Sequence, residues 1–102
     1  MALGSDWPIA HHDARQVLAL AQEPRGAASR GGGLSALMAQ EGVTSHAAAA
    51  AGEAAVAGRI APGHRADLTA FAADPLTTPA GELPETPIAL TVVGGSIRHR
   101  AV

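Results

Sequence analysis

Asp6 stands in the run Gly4-Ser5-Asp6-Trp7-Pro8, where an apolar stub, Met1-Ala2-Leu3, reaches a turn of small residues and presents a single carboxylate. A carboxylate at the end of a strand can ligate a divalent metal, or accept a proton from a metal-bound water whose pKa has fallen to about 7. The same residue can instead cap the following turn, with Trp7 and Pro8 packed beside it. The pentapeptide by itself leaves both roles open.

The histidines add little to a metal site. His11-His12-Asp13 has the ligand types but the wrong spacing: adjacent side chains diverge on a strand or a helix, and a chelating face wants an interval such as i, i+4. His46 falls at a helix start among alanines, as a partner for a carbonyl or for solvent. His64 lies in a turn beside Arg65, and His99 between two arginines in the last extended segment; all three read as surface residues. Gly31-Gly32-Gly33 is no phosphate loop, because no Gly-Lys-Ser or Gly-Lys-Thr follows it. Ser29, Ser35 and Ser96 have no nucleophile-elbow context, and Arg25 and Arg30 read as solvated loop cations.

Composition narrows the class. The 102 residues carry a formal net charge of −2, with every basic residue an arginine. No basic stripe or acidic tail is present, so neither nucleic acid nor a membrane surface is expected as a partner. Cysteine is absent, which removes disulfides, thiolate metal sites and cysteine nucleophiles together. No charged leader with an apolar stretch and no run of about 20 apolar residues occurs, so a cytoplasmic chain is expected. A chain of this length buries roughly two-thirds of its unfolded surface in one small core. With alanine as the dominant apolar residue, that core stabilises less than one of Leu and Phe, at about 25 cal/mol per Å² buried. The isolated monomer is therefore expected to be marginal or to lean on a partner surface.

The elements that must position these residues divide near Gly58. Asp13 is placed to cap a helix over Asp13 to Gln22, stopped by Pro24. A connector follows, Arg25 to Gly33. Short helices are expected over Leu34 to Gln40 and Thr44 to Ala51, separated by the breaker Gly42 and with Thr44 or Ser45 capping the second. Asp67 to Ala73 alternates as a strand, ended by Asp74-Pro75. Pro79 to Pro87, with three prolines and two acids, reads as an irregular, mobile surface loop. Ile88 to Val93, Gly94-Gly95 and Ser96 to Val102 form a hairpin signal. The expected fold class is α+β: short N-terminal helices packed on a small, mainly antiparallel sheet, with residues 1–57 and 58–102 as two parts of one compact unit.

The order of these signals resembles the C-terminal third of the amidohydrolase superfamily, especially the branch containing N-substituted formamide deformylases. It runs from Gly4-Ser5-Asp6-Trp7-Pro8 to Ala36-Leu37 and Thr44-Ser45-His46-Ala47. Gly58-Arg59-Ile60-Ala61-Pro62-Gly63-His64-Arg65-Ala66-Asp67-Leu68 follows, then Asp74-Pro75 and Thr91-Val92-Val93-Gly94-Gly95. The resemblance covers almost the whole chain, and the succession is more specific than any one motif.

By this resemblance, residues 1–57 are the end of a metal-binding TIM-like barrel, from the close of its eighth strand onward, and residues 58–102 are strands of a composite β-sandwich. Asp6 matches the carboxylate that binds the metal and takes a proton from the attacking water, at the strand end where barrel active sites lie. Gly63, Ala66, Asp67, Leu68, Gly94 and Gly95 match structural positions. The family's His-x-His, its middle-strand Lys or Glu and its later His ligands have no counterpart here, and a barrel of about 250 residues does not fit this length. The chain therefore reads as a fragment of a hydrolase of non-peptide carbon–nitrogen bonds. It is expected to bind no metal alone, the divalent ion, Zn by expectation, and the small amide-type substrate belonging to the full enzyme.

The alternative is a structural or self-association module. Surfaces that would face the barrel, including Leu37, Ala47 to Ala51 and Leu68, are expected to be exposed and to favour a homodimer. The unpaired edge of the Ile88 to Val93 hairpin offers a second route to the same result.

Overall fold

The computed structural model describes residues 1–4, 12–23 and 33–101. Its elements are α1 (Ala14–Gln22), α2 (Ala36–Val43), α3 (Ser45–Ala50), β1 (Leu68–Phe71), a 3₁₀ helix (Ala80–Glu85), β2 (Ile88–Val93) and β3 (Ser96–Arg100). The class is α+β, as the sequence leads one to expect.

Helix α1 begins where Asp13, in extended conformation, accepts the Arg15 N–H on its side chain. This satisfies one of the backbone donors that a helix N-terminus leaves without a partner. The helix ends at Gln22, two residues before Pro24, whose ring disfavours a helical residue ahead of it. Leu34 N–H then donates to the Ala21 carbonyl at 2.8 Å, so the chain returns to the end of α1 before α2 starts. Ser35 caps α2 through its side-chain oxygen and the Met38 N–H.

Two local expectations are corrected here. Gly42 does not break the helix, for α2 runs through it to Val43. Its missing side chain serves close approach instead: a Cβ there would come within 2.7 Å of the Leu3 side chain, and Leu3 N–H donates to the Gly42 carbonyl at 2.8 Å. Thr44 occupies the cap position of α3 but makes no capping bond, because its hydroxyl donates backward to the Gln40 carbonyl at 2.6 Å.

The segment Pro79 to Pro87 departs furthest from expectation. It holds a 3₁₀ helix, and its Leu83 is fully buried. A 3₁₀ turn tolerates Pro84 because only short-range i→i+3 bonds are formed. Leu83 joins Leu18, Ala19 and Ala39 in the core, with Ala21, Val43 and Phe71 packed around it. Arg15 fastens the segment from outside the core: its Nη1 donates to the Thr86 carbonyl at 2.8 Å, while Nε and Nη2 grip the Asp13 carboxylate, the latter at 2.6 Å. A loop expected to be mobile is thus a wall of the hydrophobic core.

The sheet is antiparallel throughout, in the order β1-β2-β3. Leu68, Val92 and Ile97 lie side by side across it, and Val92 is buried between its neighbours. Since β2 is central, β3 and β1 are the edge strands of the sheet among the described residues. The helical core meets the sheet at Phe71, the half-buried last residue of β1.

The hairpin turn matches its sequence signal. Gly94 and Gly95 have φ of 56° and 82°, a left-handed pair that matches the twist of the strands it joins.

Candidate functional site

Asp6, the candidate catalytic and metal-binding residue, lies outside the described residues, as do Trp7, Pro8, His11, Arg25, Arg30 and Val102. What the structure does place are the anchors on either side of it. Ahead of Asp6, Met1 to Leu3 run along the end of α2, held by the bond from Leu3 to Gly42. Beyond it, the chain is fixed again at Asp13, the α1 cap, through Arg15. The described residues on either side are thus each tied to a helix, α2 and α1, and these two helices share one core.

His46 borders the first anchor. Its Nδ1 lies 3.1 Å from the Met1 amino group and 3.2 Å from the Met1 carbonyl, and its Nε2 lies 3.6 Å from the Glu41 carboxylate. This agrees with the expectation of a histidine satisfied by a carbonyl. His99 behaves similarly, its Nε2 lying 2.9 Å from the Ile88 carbonyl across β2.

His64 is a correction. It was expected at the surface, but its ring is partly covered, with Nε2 3.3 Å from the Ala54 carbonyl and Nδ1 buried without a hydrogen-bond partner. The cause is the turn that precedes β1, which folds back onto residues 53–57: Arg65 N–H donates to the Val56 carbonyl, and Arg65 Nη2 pairs with Glu53 at 2.9 Å. No local pattern in the sequence announces this return.

Among the described residues, no three His, Asp or Glu side chains converge on a point where a metal ion could be held. The described part of the chain does not supply a metal centre. His12 and Asp13 stay on the helix entry, and His46, His64 and His99 are each committed to a different backbone carbonyl. The hydrogen bonds that Arg15 donates to the Asp13 carboxylate hold its guanidinium above the ordinary arginine value, against the opposing pull of partial burial.

The two motif elements that looked structural in the sequence are joined in space. Asp67 Oδ1 accepts the Gly94 N–H at 2.8 Å, and the Ala66 carbonyl accepts the Gly95 N–H at 3.0 Å. The start of β1 thus clasps the turn between β2 and β3, which explains why Ala-Asp-Leu and Gly-Gly occur together.

No curated protein and no solved structure matches the chain. A family model does, over residues 1–99, which takes in the Asp6 run, the helices, β1, β2 and all but the last residue of β3. The chain belongs to the amidohydrolase family, a family of hydrolases.

Proposed function

We propose that this chain is the C-terminal segment of a metal-dependent amidohydrolase of the formamide deformylase-like branch, acting on carbon–nitrogen bonds other than peptide bonds. The observation that carries the reading is the family match, continuous from the Gly4-Ser5-Asp6-Trp7-Pro8 run to the last strand. In this reading residues 1–57 are the end of the barrel and residues 58–102 the small sandwich. Asp6 is the catalytic carboxylate: it takes a proton from the attacking water and returns it to the leaving amine.

The family generally uses divalent metals. The described residues do not form a site for one, so the ion, zinc in this reading, requires Asp6 together with ligands from outside this sequence. The 102-residue chain alone is then inactive toward small amides, and a cytoplasmic enzyme is its natural setting.

The test joins this chain to the barrel segment encoded upstream and compares the joined protein with the chain alone. Expected are zinc uptake and hydrolysis of N-formyl amines by the joined protein, both lost in Asp6→Asn, with neither in the 102-residue chain. Stoichiometric zinc and turnover in the chain alone would overturn the fragment reading.

A second reading, self-association without catalysis, is favoured by one observation. Leu37, Met38, Leu68 and Ile97 are exposed, and among the described residues both edge strands of the sheet, β1 and β3, pair on one side only.

A further inference from the structure

We draw no further inference here: the strongest candidate, the exposed apolar surface of the sheet at Leu68 of β1 and Ile97 of β3, carries nothing, because nothing in the structure shows what covers it.

Discussion

Asp67 accepts the backbone N–H of Gly94 at 2.8 Å across 27 residues of sequence, tying the entry of β1 to the turn between β2 and β3. The bond closes the sheet at the end remote from the helical core, where few apolar contacts are available. It makes Asp67 a structural carboxylate, distinct in role from Asp6.

Asp67→Ala is expected to destabilise the chain by about 1–2 kcal/mol, because the Gly94 donor loses a charged acceptor. Asp67→Asn keeps an acceptor oxygen and should recover much of the loss. Thermal unfolding of the two variants beside the parent checks this, at about 4–8 °C per kcal/mol for a domain of this size. Equal losses in both would show that the hydrogen bond is not what Asp67 contributes.

Gly95 adopts φ of 82°, and nothing lies within 4 Å of where a Cβ would stand. Any cost of Gly95→Ala is therefore conformational and not steric, on the order of 1–2 kcal/mol for a side chain held in the left-handed region. Amide exchange across β2 and β3 should accelerate, while the α1 helix is left unchanged. Faster exchange in α1 as well would mean that sheet and helices unfold as one unit.

Leu83→Ala removes the largest fully buried side chain from the core it shares with Leu18, Ala19 and Ala39. The expected cost is about 2–5 kcal/mol, transfer loss plus residual cavity, enough to unfold a marginal chain near room temperature. Arg15→Ala should be milder, about 1–2 kcal/mol, by releasing the Thr86 carbonyl and the Asp13 carboxylate. The sign of its pH dependence follows from the upward displacement of the arginine: the contribution is fully present below the ordinary guanidinium range and is lost only as pH rises through the raised value. Replacing Arg15 should therefore leave the neutral-to-alkaline stability slope unchanged. Denaturant unfolding at pH 7 and pH 9 measures both statements, and a difference between parent and variant that grows over that interval would contradict the second.

Gly42→Val would drive a side chain into Leu3, whose atoms stand 2.7 Å from the position of a Cβ. The chain before Asp6 should detach from α2, and limited proteolysis should cut it near Leu3 faster than in the parent. Gly42→Ala should show the same effect more weakly. An unchanged cleavage rate in both would show that the stub is not anchored there.

The helices and the hairpin were legible in the sequence because their signals are local. Asp13 caps and Pro24 stops α1 within a dozen residues, and Gly94-Gly95 between β-branched runs fixes the turn. Gly42 and the Pro79 to Pro87 segment were misread for the opposite reason. A glycine serving as a point of close approach looks the same as a glycine breaking a helix until Leu3 is brought beside it. Likewise Leu83 carries no periodic pattern, and its burial depends on Leu18 and Ala39, more than forty residues away in sequence. The return of residues 53–57 over His64 belongs with these.

The sequence by itself determined the family, the α+β class and Asp6 as the candidate carboxylate, since motif order, turn chemistry and capping are written in neighbouring residues. Only the tertiary structure decided that Leu83 closes the core, that Asp67 is spent on Gly94 and that β1 lies at an uncharged edge. Each of those facts is a contact between distant residues, and a contact acquires its energy only when the chain has folded to bring both partners out of water.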